Sequence, residues 1–256
     1  MGRSPHYRKA KSCAFCARKA DSREHAWPEW VLKRFTTTKN MIIGEVDGKE
    51  QFDPAQKAVR VRCVCEPCNT GWMKGLEDAV IPIAGPMMHD LSITLESEDK
   101  LLLARWAVKT SMVWEYVSTR RELYYTGTER DAFCNGHMPQ GTKVIIGRYS
   151  GHLSMQTFGA DGSTVPGSEA IGTAAFCTTM TFGRLAVQVL SLRPRPPHQI
   201  TVEARYGVPW GKLLMQCWPQ LPEHERQPRW PPPMSFGDGY SVLDLHHMWN
   251  NPAPRQ

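Results

Sequence analysis

Two cysteine pairs constrain this chain more than any other feature: Cys13-Ala-Phe-Cys16 and Cys65-Glu-Pro-Cys68. A CxxC knuckle turns two thiolates toward one point, and two knuckles together supply four tetrahedral ligands with no open position. The expected ion is a structural Zn2+ on Cys13, Cys16, Cys65 and Cys68, which holds the fold and takes no part in chemistry. Cys63 lies two residues before Cys65, is expected on the opposite side of a strand, and is read as a spare. Cys134, Cys177 and Cys217 are isolated and read as small hydrophobes.

Composition sets the compartment in which such thiols matter. The chain of 256 residues is 41% hydrophobic and 22% charged, as expected of a globular protein. No apolar run reaches the roughly 18–20 residues of a membrane span, and the first residues lack the apolar stretch of a signal peptide. The expectation is a cytoplasmic protein without a membrane partner, in which eight cysteines favour metal binding over disulfides. A redox role for the CxxC pairs is the lesser reading.

Charge is concentrated at one end. Residues 1–35 hold nine Lys and Arg against three Asp and Glu, a surplus equal to the net +6 of the whole chain. A basic arm beside a site suits phosphate contacts, which release condensed counterions. A solvated terminus gives the same pattern.

Spacing between the knuckles adds the next constraint. Forty-eight residues intervene between Cys16 and Cys65, where a plain zinc ribbon has about 15–20. The insert opens with Ser-Arg-Glu-His-Ala-Trp-Pro-Glu-Trp (22–30), and the second knuckle runs directly into Asn69 and a short helical pattern, NTGWMKGLED. CxxC, Glu-His-x-x-Pro and CxxC-Asn in this order resemble the zinc-containing HNH, or ββα-metal, endonucleases. Their usual form has Asp-His-x-x-Pro, a middle Asn, and CxxC followed by His or Asn. The resemblance covers residues 13–78, under a third of the chain.

That resemblance implies a metal-dependent endonuclease acting on phosphodiester bonds, most simply in double-stranded DNA. It makes His25 the general base and Glu24 and Asn69 ligands of one catalytic Mg2+ or Mn2+. Such nucleases serve in phage defence, phage DNA processing and mobile elements. Adjacent residues on a regular strand face opposite ways, so Glu24 and His25 reach one site only if the backbone there is irregular. The family's middle Asn, which orients the histidine, is absent; Arg60 occupies its frame. Two readings stand for Arg60, a phosphate contact through its planar fork and a surface residue beside a strand. Glu77, eight residues beyond Asn69, is either a further metal ligand on the same helical face or an exposed acid. Trp27 and Trp30 are read as core or lip residues before base-stacking platforms. The other eight histidines, without partners at ligand spacing, are read as surface or structural. The competing function is a zinc module that binds nucleic acid or a protein partner without cutting.

The expected fold class is α+β, in two parts. Residues 1–90 form the ββα-metal module, closed by a linker-like IPIAGPMMHD (81–90) with two prolines and a glycine. Residues 91–256 form a larger α+β domain of unassigned role. It begins with one long buried helix over 98–119, capped by Ser97, on which Leu102, Trp106, Val113 and Val117 share a face. Strands follow at 143–149, 152–158, 183–192 and 198–204, in an antiparallel sheet. The last fifty residues, with Trp210, Trp230 and Trp249, read as extended chain packed on a domain surface.

Overall fold

The computed structural model describes residues 9–35, 43–46, 49–51, 59–117, 123–151, 155–162, 174–193, 214–220 and 229–236. The expected strand at 198–204, residues 152–154 of another, and Trp210 and Trp249 lie outside the described residues.

Strand β1 (Ser22–His25) is followed by helix α1 (Glu29–Phe35) and the short strands β2 (Ile43–Val46) and β3 (Lys49–Gln51). Strand β4 (Arg60–Val64) then pairs antiparallel with β1 and leads into a long helical run. That run comprises α2 (Glu66–Cys68), a π-helical turn over Asn69–Met73, and α3 (Lys74–Met88). The expected linker at 81–90 is thus mostly the second half of α3, with Pro82 and Pro86 inside it. An interior proline costs a helix about 3 kcal/mol or more. Tertiary burial outweighs that here, since Val80, Ile83, Ala84, Met87 and Met88 are all in the core.

After the short β5 (Ile93–Thr94), helix α4 spans Ser97–Trp114, ending five residues before the expected 119. Its N-cap is Glu96, one residue before the expected Ser97, with the Glu96 N–H donating to Asp99 Oδ2 at 2.9 Å. From Leu103 to Trp114, all but Arg105 are buried, so after its exposed first turn α4 runs through the core. Helix α5 (Gly127–Cys134) precedes the main sheet.

The sheet contains β6 (Thr142–Tyr149), β7 (Met155–Gly162), β8 (Ala174–Phe182), β9 (Leu185–Arg193) and β10 (Leu214–Trp218), in the order β10-β6-β9-β8-β7 with antiparallel neighbours. A short C-terminal strand, β12 (Ser235–Phe236), joins it parallel to β6, while β11 (Arg229–Trp230) forms a separate two-stranded sheet with β5. The mixed α+β class and the antiparallel sheet therefore stand. Three C-terminal segments are strands in ladders, with Trp230 buried, where extended surface chain was expected.

The β8–β9 turn shows how the two halves of the chain meet. Gly183 has φ +58°, and a Cβ there would lie 2.5 Å from Met88 O and 2.8 Å from the Phe35 ring. Only glycine fits. Arg184 N donates to the same Met88 carbonyl at 3.0 Å, tying the sheet to the end of α3. One contiguous core joins α1, β4, α3, α4 and the sheet. No helix among the described residues is long and apolar enough to cross a membrane.

Candidate active site and metal-binding cluster

The first knuckle hangs on β4. Ala10 N donates to Arg62 O and Ala14 N to Cys63 O, which brings residues 10–14 alongside the strand that leads into Cys65. Asp21 Oδ1 accepts from Glu66 N at the start of the helical run. All four ligand atoms of Cys13, Cys16, Cys65 and Cys68 consequently lie within 4.8 Å of one another. Cys16 Sγ is 3.6 Å from Cys65 Sγ and 3.7 Å from Cys68 Sγ. Four thiolates about 2.3 Å from a tetrahedral ion are about 3.8 Å apart, so the cluster fits a metal ion such as zinc. Phe15 closes its inner side, edge-on to Trp72 and tilted against Phe133. Cys63 is fully buried and outside the cluster, as its strand position requires.

Beside the cluster, β1 and β4 carry the acid-histidine pair. Their register sets Glu24 opposite Val61 and His25 opposite Arg60, with an irregularity between Ser22 and Glu24. The irregularity therefore precedes the pair, and the step from Glu24 to His25 keeps the regular register. Glu24 is buried and His25 half-buried, and both line one polar cleft of about 390 Å³ together with Arg60, Asn69 and Glu77. Asn69 opens the π-helical turn, and its Nδ2 donates to Ser22 Oγ at 2.8 Å. Through that bond the helix grips the start of β1.

Arg60 Nε donates to His25 Nε2 at 2.8 Å. Neither sequence reading of Arg60, phosphate contact or surface residue, includes this contact with the histidine. Since a guanidinium only donates, Nε2 must be the lone-pair nitrogen of the neutral ring, which puts the proton on Nδ1. Partial burial, followed by the Arg60 charge, holds the His25 pKa below its ordinary value of 6.5. The imidazole is therefore neutral at pH 7.

The carboxylates have an unforeseen partner. Lys109 Nζ, from the middle of α4, donates to Glu24 Oε1 at 3.0 Å and to Glu77 Oε1 at 2.5 Å. Its side chain is 1% exposed. Burial works against the ammonium, but the two carboxylates together outweigh it and raise its pKa above the usual lysine value. Glu77 is thus neither free nor simply exposed; it shares a buried cation with Glu24. The sequence does carry a signal for this. A lysine within LLLARWAVKTSMVW, a run apolar on every helical face, can be buried only with a charge partner.

Two carboxylates and a carboxamide on one cleft suit a hard cation in kind. Oε1 of each carboxylate is already engaged by Lys109. Of the tryptophans, Trp27 is core: it stacks on Trp114 at 5.9 Å, and its Nε1 donates to Thr157 Oγ1 at 2.7 Å. Trp30 forms the cleft lip, with the Arg34 guanidinium 5.0 Å from its ring centre.

No family model, no curated protein and no solved structure matches the chain.

Proposed function

We propose that this chain is a metal-dependent HNH-type endonuclease that hydrolyses phosphodiester bonds in double-stranded DNA, with a structural zinc on its four clustered cysteines. The observation that carries the reading is a neutral His25 in a polar cleft with Glu24, Asn69, Glu77 and Arg60, beside the Cys13/Cys16/Cys65/Cys68 cluster. A bulged strand pair leading straight into a helix gives that cleft its shape.

In this mechanism His25 takes the proton of the attacking water. Its one lone pair is held by Arg60 in the free protein, so the guanidinium must first move to another acceptor. A scissile phosphate is such an acceptor, and it matches the planar fork better than one ring nitrogen does. Substrate binding thereby exposes the base and places a positive charge on the phosphate in the same movement. Glu24, Asn69 and Glu77 would hold a magnesium or manganese ion, which supplies charge stabilisation at the phosphate and leaving oxygen when bound. Asn69 meanwhile keeps the helix registered on β1 through Ser22.

One observation favours a second reading. Lys109 already engages Glu24 and Glu77, the carboxylates assigned to the cation. A zinc module that binds nucleic acid or a protein partner without cutting is compatible with that arrangement. Incubation with double- and single-stranded DNA and RNA, with magnesium or manganese, separates the two. The nuclease reading expects duplex DNA to be cut. Binding of DNA without cleavage of any substrate selects the second reading.

A further inference from the structure

Lys109 belongs to no element of the sequence motif, yet it makes the closest contacts that Glu24 and Glu77 have to any cation among the described residues. Three separate elements converge there: β1 brings Glu24, α3 brings Glu77 and α4 brings the ammonium. Glu24 and Glu77 line the cleft, whereas Lys109 does not. The ammonium therefore approaches both carboxylates from the core side, with the cleft on their other side. A lysine at this depth is stable only because both acids meet it, and the acids at this depth are held together by it.

Charge counting gives the consequence. Two carboxylates and one ammonium leave a single negative charge at the cleft floor, where the carboxylates alone would present two. A divalent cation entering the cleft is drawn by the smaller charge and repelled by a fixed positive charge just behind it. Lys109 thus opposes the very ion that Glu24 and Glu77 are assigned to hold.

We propose that Lys109 is a built-in counter-cation that sets the cation affinity of this cleft low, while fixing the positions of the Glu24 and Glu77 carboxylates. The inference rests on the reading of those two acids as cation ligands, and not on the chemistry that follows. It makes Lys109 a positioning residue, acting through the two acids without touching substrate.

The test is Mn2+ binding to the full-length, zinc-loaded protein, followed by electron paramagnetic resonance without nucleic acid. Lys109→Met is expected to bind Mn2+ at least about tenfold more tightly than wild type, because the opposing charge is gone. Lys109→Gln retains a donor for one carboxylate and is expected to move in the same direction; it answers the question if the Met variant does not fold. Zinc content and circular dichroism identify the folded variants. Affinity that is unchanged or weaker in the folded variants overturns the proposal, since a purely structural lysine would give that result. Absence of Mn2+ binding in wild type and variants alike also overturns it. Failure of the nuclease reading has a different signature: wild type that cuts no DNA, alongside Lys109 variants that still bind Mn2+ more tightly.

Discussion

Arg60 Nε and His25 Nε2 are 2.8 Å apart across the β1–β4 pair, directly opposite in the strand register. The bond occupies the only lone pair of a neutral imidazole. Its consequence is chemical: an electrophile that attacks that lone pair must compete with the guanidinium. Arg60→Ala is expected to let diethyl pyrocarbonate modify His25 several-fold faster in the absence of nucleic acid, as read by peptide mapping. An unchanged rate would mean that Arg60 does not mask the base.

The depressed pKa of His25 fixes the direction of the pH dependence. Burial and the Arg60 charge lower it from 6.5, so the base is competent at pH 7. Protonation removes the lone pair, and cleavage should fall as pH drops through a value below 6.5. In Arg60→Ala one of the lowering causes is gone, while burial and the Lys109 charge remain, so the acid limb should move upward. A limb above 6.5 in wild type would contradict the assignment of His25 as base.

The thiol cluster and the cleft should separate under metal removal. Structural zinc typically contributes about 10–16 kcal/mol of apparent binding free energy to folding. Cys65→Ser, or a strong chelator, should therefore abolish zinc binding and disorder the β1–β4 region. Removing magnesium with a weak chelator should stop cleavage and leave the circular dichroism spectrum unchanged. One zinc per chain is the expected stoichiometry for wild type.

Residues 1–90 should not fold alone. Val80, Ile83, Ala84, Met87 and Met88 of α3 share one core with α4 and the sheet, and Trp27 bonds Thr157. Cutting after residue 90 would uncover those side chains and leave Glu24 and Glu77 without Lys109. Such a fragment is expected to melt without a cooperative transition even with zinc present. A sharp transition would show that the N-terminal region is autonomous.

What could be read from the sequence was what local chemistry encodes. Four cysteines in two knuckles converge whatever surrounds them, whereas the irregular backbone expected at Glu24-His25 lies instead between Ser22 and Glu24. Segments whose structure depends on the rest of the protein were hidden. Pro82 and Pro86 signal a break, and only the burial of their neighbours Ile83, Ala84, Met87 and Met88 in the shared core makes helix the better state. Strand β8, AAFCTTMTF, has no alternation because the side chains from Phe176 to Phe182 are buried on both faces. Two of its threonines bond side chains of other elements: Thr178 pairs with Ser111 of α4, and Thr179 accepts from Gln188 of β9. Lys109 is hidden in the sequence for a related reason. Its role exists only where three elements meet, although its place in an apolar helix was legible.

The central claim is that His25 is the base of a nuclease, and relaxation of supercoiled plasmid by full-length zinc-loaded protein tests it most directly. With magnesium or manganese, wild type should nick the plasmid. His25→Ala should lose at least about a hundredfold in rate, the usual scale of a general base, while retaining one zinc and the wild-type circular dichroism spectrum. Equal rates for the two proteins would contradict the account.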